Sequence, residues 1–297
     1  MEITYNEFEV LRIIEKEQKK LSQREIANMA CFSLGTVNKV ITKLLNNNLI
    51  DENNLITNLG MKALEPFRVK RAIFLAAGFG SRMVPITLNT PKPMVLVNGQ
   101  RIIESLLDAV KKAEIKEIII VVGYLGEQFE ILKKKYPNIK IVENINYSYQ
   151  NSISSAYLVR KKLANAYIFE SDLLLKNQNL IQKYEYHSTA FGKFVDKTDD
   201  WAYEVKNGIV VKNKLGGYNC HRVYGIIYID NNDGIKLEND IEKVYKLPGG
   251  KKKFWEQVPL NEYKKDYKIH IRECMKNDII EIDTFDDLKK IDKTYDV

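Results

Sequence analysis

Arg71-Ala72-Ile73-Phe74-Leu75-Ala76-Ala77-Gly78-Phe79-Gly80-Ser81-Arg82-Met83 runs from a continuous apolar segment straight into a glycine-rich turn. An uninterrupted apolar run ending in glycine marks a strand buried on both faces, as in a parallel sheet. The glycines let the backbone turn sharply with its N–H groups exposed, so that several amides can converge on one anion. Leu75, Ala76, Ala77, Gly78, Gly80 and Ser81 are therefore candidate nucleotide-contact positions, and Arg82 adds a fork of donors matched to phosphate oxygens. The segment continues through Pro85 and Thr87 to Thr90-Pro91-Lys92-Pro93-Met94, where Lys92 supplies a compact positive charge between two prolines. Two other phosphate loops are excluded by spacing. A Walker loop needs lysine and a hydroxyl residue directly after its second glycine, and a dinucleotide fingerprint needs a third glycine where Met83 stands.

Downstream of the loop, the pattern predicts a helix over 101–113, a buried strand at Glu117–Val122 and a helix over 125–135 ending in Lys133-Lys134-Lys135. A strand at Ile139–Val142, a helix over 152–163 and a strand at Ala166–Glu170 follow. Such alternation means a parallel sheet with helices on both faces. Beyond residue 190 the expected strands crowd together at 201–206, 209–212, 223–229, 267–271 and 279–282, which makes the sheet mixed. Upstream, residues 5–18 have helical spacing, Ser22 and Glu25 open a short second helix, and Ser33 caps a third over Leu34–Leu45. Leu49-Ile50 and Leu55-Ile56 then pair as a small hairpin before a fourth helix from Thr57. This order resembles a winged helix-turn-helix. The expected organisation is thus a small domain over 1–66, a linker at Pro66, and an α/β domain over 67–297.

Charge separates the two parts. Residues 1–66 hold eight Lys/Arg against nine Asp/Glu, a net −1, which leaves +8 of the chain's +7 total for the remainder. A basic large domain suits anionic small molecules, although lysine-rich solubility explains most of these charges equally well. DNA binding by the winged helix is weakly supported: its third helix offers only Lys39 and Lys43 for phosphate, with Thr36 and Asn38 for bases. No apolar run approaches the roughly 20 residues of a membrane span, and the N-terminus lacks an apolar signal core, so the expected location is cytoplasmic. Cys31, Cys220 and Cys274 are far apart and read as free thiols; His187, His221 and His270 also stand alone. The state of assembly is open, with a homodimer compatible.

Two carboxylates complete the pattern. Asp172 lies just past the strand Ala166–Glu170, at a sheet's carboxyl edge, where ligands of open α/β sheets sit. Asp283 follows the strand 279–282, and on its residue type and place alone the N-cap of the last helix is its more natural role. The whole string from Leu75 to Met94 resembles the signature of the nucleotidyltransferase superfamily that includes sugar-phosphate nucleotidylyltransferases. That resemblance implies a Rossmann-like (GT-A-like) mixed sheet, an NTP on the loop, and Arg82 and Lys92 on its phosphates. It also implies Mg²⁺ on Asp172 and Asp283, with Glu170 a candidate helper.

Further stretches resemble bacterial CTP:phosphocholine cytidylyltransferases: Val122-Gly123-Tyr124-Leu125 with Glu127-Gln128-Phe129, the run Asn144, Tyr147, Asn151, Ser155, Tyr157, then Asp200-Trp201, Phe254-Trp255 and Glu281-Ile282-Asp283. The implied substrates are CTP, touched by Gly123, Tyr124, Asn151 and Ser155, and a small phosphorylated acceptor, with phosphocholine favoured. A quaternary ammonium has no N–H to donate, so aromatic faces and carboxylates must hold it. The two tryptophans, Trp201 and Trp255, both stand beside acidic residues in the later half, with Asp200, Tyr218 and Tyr224 as further acceptor candidates. Each tryptophan is as well explained by core packing. Two other enzymes stay open: a cytidylyltransferase for 2-aminoethylphosphonate or phosphoethanolamine, and a sugar-phosphate nucleotidylyltransferase. A different class, a winged-helix regulator that senses a nucleotide or choline compound, also stays open.

Overall fold

The computed structural model describes residues 2–296. The chain divides into two compact units, Met1–Arg68 with Tyr184–Tyr186, and Val69–Lys183 with His187–Val297.

The first unit is built from α1 (Tyr5–Glu17), α2 (Gln23–Ala30), α3 (Leu34–Asn46) and α4 (Asn58–Leu64). Its helices start where side chains take up the orphan N–H groups. Thr4 with Glu7 and Ser22 with Glu25 form reciprocal capping boxes, and Ser33 and Thr57 cap the other two. Phe8, Leu11, Ile26, Val37, Leu44 and Leu49 close its core. The expected hairpin reduces to one bridge, Ile50 to Ile56. The Asp51 carboxylate accepts from the Asn53 and Leu55 backbone N–H groups, so a side-chain turn replaces ladder bonds. Pro66 lies inside a single 3₁₀ turn, Glu65–Phe67, and Phe67 stacks on Tyr186.

The second unit carries, in chain order, β1 (Arg71–Ala76), β2 (Leu96–Val97), β3 (Gln100–Arg101), α5 (Ile102–Lys112), β4 (Glu117–Val122), β5 (Ile139–Glu143), α6 (Ser152–Val159), β6 (Ala166–Glu170) and β7 (Leu173–Leu175). Then come β8 (Thr189–Lys206), β9 (Ile209–Ile229), α7 (Asn231–Lys246), β10 (His270–Glu273), β11 (Ile279–Glu281) and α8 (Phe285–Ile291). Seven strands form one sheet in the order β10-β8-β9-β6-β1-β4-β5. β1 pairs parallel with β4 and β6, β4 pairs parallel with β5, and β6–β9 and β8–β9 are antiparallel. The sheet is mixed, as expected.

Strand alternation builds two cores from one sheet. Phe74, Ile120 and Phe169 point to one face, and Ile73, Ile119 and Ile168 to the other. Both faces are covered, which is why these strands read as unbroken apolar runs.

Two expectations about elements fail, and one helix appears where none was expected. The strands expected at 201–206, 209–212 and 223–229 are parts of one long hairpin, β8–β9, broken by register shifts around Thr198–Trp201. The helix expected over 125–135 is a 3₁₀ segment, Gly126–Lys134. The helix α7 was not expected, because only Leu237, Ile241 and Val244 of its core-facing side chains are strongly apolar amid Asp, Glu and Lys.

Candidate active site

β1 delivers the loop to the carboxyl edge of the sheet. Gly80 has φ +65°, and a Cβ there would lie 2.9 Å from the Lys92 Cβ, so the position requires glycine on two counts. The loop then makes three single 3₁₀ turns, Ser81–Met83, Ile86–Leu88 and Lys92–Met94, pinned by the buried Met83 and Met94. Thr87 Oγ1 donates to the Gly80 carbonyl at 2.9 Å. Tyr124 Oη donates to the Leu88 carbonyl and Gln128 Nε2 to the Asn89 carbonyl, at 2.9 and 2.8 Å. A loop tied at this many points is already shaped before a ligand arrives.

β11 pairs with β7, placing Glu281 opposite Leu173, and Ile282 N–H donates to the Asp172 carbonyl. This pairing brings Asp283 beside Asp172 from 111 residues away in sequence. Asp283 is not the cap of α8: Thr284 is, accepting from the Asp287 N–H at 3.1 Å. The carboxylate of Asp283 is thereby left for the site. Lys92 Nζ donates to Asp172 Oδ2 at 2.8 Å and to Asp283 Oδ1 at 3.0 Å, and Arg82 Nη2 reaches Asp283 Oδ1 at 2.8 Å. Burial opposes the Lys92 ammonium, but the two carboxylates outweigh it and hold its pKa above the ordinary value.

Glu281 joins the pair. Among the described residues, Asp172, Glu281 and Asp283 offer oxygens all within 4.8 Å of one another. The sequence reading names Glu281 only within the stretch Glu281-Ile282-Asp283 and gives it no ligand role, though a signal was there: it stands two residues before Asp283, on the same side of an extended chain. Arg222 Nη2 holds it at 2.6 Å. Burial and the neighbouring Asp283 and Asp172 raise its pKa to about 8. Behind it, burial and then Asp172 push Glu170 well above the carboxylate range, and burial raises Glu256 to about 7. The set suits a hard divalent cation. Its donors are all carboxylate oxygens, and Asp172 Oδ1 is buried with no hydrogen-bond partner.

A cavity of about 490 Å³ spans this cluster. Leu75, Ala76, Gly78, Gly80, Ser81, Arg82 and Lys92 line it, together with Asp172, Glu281 and Asp283 and with Asp200, Trp201, Leu215 and Phe254. An adjoining cavity of about 260 Å³ is lined by Ala77, Asn144, Tyr147, Asn151, Ser154 and Ser155. Asn144 Nδ2 donates to both Ser154 Oγ and Ser155 Oγ, which fixes that wall.

Several sequence candidates lie elsewhere. Gly123 and Tyr124 line neither cavity. Tyr124 anchors the loop through Leu88 as above, and a Cβ at Gly123 would lie 2.7 Å from the Ala77 carbonyl, so both act on the loop from behind. Trp255, expected to line the acceptor pocket, is 3% exposed and packed with Ile153, Ile241 and Val258. Its neighbour Phe254 faces the cavity instead and meets Trp201 edge-to-face at 5.8 Å. Tyr224 is also core, packed with Phe169 and Phe191. Tyr218 is 72% exposed and outside both cavities, with the Lys197 ammonium 5.6 Å from its ring centre. Phe254 and Trp255 lie in a turn just before the helical segment Val258–Glu262, and the local backbone there sends one ring to the cavity and the other into the core.

Comparison with known proteins gives two family matches. Residues 71–244 match the Nucleotidyl transferase family and residues 3–52 the MarR family. The 2-aminoethylphosphonate cytidylyltransferase of Lancefieldella rimae is 35% identical over 229 residues, covering 75% of this chain and 92% of the relative. The choline-phosphate cytidylyltransferase of Streptococcus pneumoniae is 34% identical over 230 residues, covering 75% and 97%. The solved structure of the CTP:phosphocholine cytidylyltransferase LicC from Streptococcus pneumoniae superposes with a TM-score of 0.71 at 33% identity, covering 76% of this chain and 99% of that one.

Proposed function

This chain belongs to the nucleotidyl transferase family, and from that premise we propose that it joins CMP from CTP to a small phosphate or phosphonate carrying an ammonium group, of the phosphocholine and 2-aminoethylphosphonate class. The observation that carries the reading is a single cavity lined by the phosphate loop, by a group of aromatic and acidic side chains, and by three carboxylates within reach of one another. Relatives that cover three quarters of the chain act on these two acceptors, which supports the class.

The reaction needs no protein nucleophile. A phosphomonoester has a second pKa of about 6 and is largely dianionic at neutral pH. One of its oxygens forms a bond to the α-phosphorus of CTP while the bond from that phosphorus to the β-phosphate oxygen breaks. Pyrophosphate leaves with the bonding electrons. Catalysis is then positioning and charge neutralisation. Lys92, Arg82 and the amides at Gly78–Ser81 face the triphosphate, and Asn151 and Ser155 stand at the base side. Mg²⁺, held by Asp172 and Asp283 with Glu281 in reach, supplies charge neutralisation at the reacting phosphates when bound. Trp201 and Phe254, with Asp200, receive the cationic head through ring faces and a carboxylate.

The test is pyrophosphate release from CTP with phosphocholine, phosphoethanolamine, 2-aminoethylphosphonate and glucose 1-phosphate in parallel. The reading expects an ammonium-bearing acceptor to be used. A preference for glucose 1-phosphate would move the protein to the sugar-phosphate enzymes.

The MarR-type match favours a second role, DNA binding by the first unit. The exposed face of α3 offers Asn38, Lys39 and Thr42, while Lys43 is paired with Glu7 at 2.9 Å and the wing turn exposes Asp51 and Glu52. With so few cations facing outward we assign it at most weak DNA affinity. No helix among the described residues is long and apolar enough to cross a membrane.

A further inference from the structure

Lys92 is the most deeply buried cation of the site, 8% exposed, and its ammonium lies between the two aspartates rather than over the phosphate loop. A cation binding those same carboxylate oxygens would lie against the ammonium, and like charges in a half-buried site repel strongly. Yet an ammonium deprived of both carboxylates in this position would be costly unless another anion replaced them. The triphosphate is that anion. Its expected seat, the loop Gly78–Arg82, adjoins Lys92 directly, since the Gly80 backbone packs on the Lys92 side chain.

We propose that Lys92 serves as a built-in counterion that the divalent metal displaces, so that metal and nucleotide bind as a linked pair. Before substrate arrives, the lysine neutralises Asp172 and Asp283 and keeps the aspartates preorganised. Metal binding hands Lys92 to the phosphates, and nucleotide binding frees the aspartates for metal. Linkage makes the effect reciprocal: metal tightens CTP by the same factor as CTP tightens metal. Arg82, 67% exposed and also on Asp283, has water as an alternative partner and is released at less cost. This inference rests on the metal-site reading above and adds to it an order of exchange.

The test titrates Mn²⁺ into the full chain without nucleotide, reading free ion by electron paramagnetic resonance. Wild type is expected to bind weakly and Lys92→Met at least about tenfold more tightly, the gain from removing two charge-assisted contacts that compete with the ion. Lys92→Gln is the second variant, keeping a polar side chain in case Lys92→Met does not fold, and is expected to move the same way. Asp172→Asn is expected to remove Mn²⁺ binding in either background. CTP affinity with and without Mn²⁺ should differ more in wild type than in the lysine variants. Equal Mn²⁺ affinity in wild type and folded lysine variants, with Asp172→Asn still removing it, overturns the displacement and leaves the metal site standing. Mn²⁺ binding unchanged by Asp172→Asn overturns the metal site and the proposal with it.

Discussion

The two walls of the cavity are made in different ways. The phosphate wall comes from one stretch of chain, Leu75 to Pro93, held by glycine geometry and by hydrogen bonds to its backbone. The other wall is assembled from separate segments: Asp200-Trp201 beside a register shift in β8, Leu215 opposite Trp201 on the returning strand, and Phe254 in an irregular segment after α7. A contiguous wall is constrained residue by residue by what a triphosphate needs. A composite wall is constrained only where its parts meet, so it can exchange side chains without disturbing the chemistry. Under the proposed function, chemistry belongs to the first wall and choice of acceptor to the second.

Changes at the junction between the walls should have the largest effect. Asp172→Asn and Asp283→Asn are each expected to lower turnover by about a hundred- to a thousandfold or more, with the fold intact by circular dichroism. A near-wild-type rate for either folded variant at saturating Mg²⁺ removes that residue from the proposed metal site. On the phosphate wall, Lys92→Ala should lower kcat by about a hundredfold and change the CTP KM less, because its charge acts where negative charge is rearranged. An unchanged kcat with a raised CTP KM would make Lys92 a ground-state binder.

The acceptor wall gives a sharper contrast, between the two tryptophans, one in the cavity and one in the core. Trp201→Ala should raise the acceptor KM by roughly thirtyfold, equivalent to about 2 kcal/mol, and leave the CTP KM nearly unchanged. Trp255→Ala should leave both KM values alone in whatever protein folds, and cost about 3–5 kcal/mol of stability in a denaturant titration. Reversed outcomes would exchange the two assignments. The smallest expected effect lies outside the cavity. The full chain should shift a DNA fragment only weakly at physiological salt, given the few unpaired cations of α3. A tight, salt-sensitive and sequence-specific shift would give the first unit a regulatory role.

The same contrast explains what could be read from the sequence. β1, β4 and β6 were legible because burial on both faces leaves an apolar run, and the loop was legible because its glycines, Arg82 and Lys92 are local. Asp172 was legible as a residue just past a strand. Asp283 stayed ambiguous, since Asp283 and Thr284 are both good caps and only the structure shows that Thr284 takes that part. Glu281 was passed over although its spacing to Asp283 carried the signal. Trp255 was favoured over Phe254 on residue type, when the side of the chain that faces the cavity depends on tertiary packing. The long β8–β9 hairpin was read in fragments because its register shifts break the alternation that marks a strand.

The most direct test of the central claim, nucleotidyl transfer across the two walls, is phosphorus NMR of CTP, Mg²⁺ and an ammonium-bearing acceptor incubated with the enzyme. The account predicts that one pyrophosphate appears for each acceptor consumed, with new phosphoanhydride resonances joining the acceptor phosphorus to CMP. Release of orthophosphate with CDP, or loss of CTP with the acceptor resonance untouched, would contradict it.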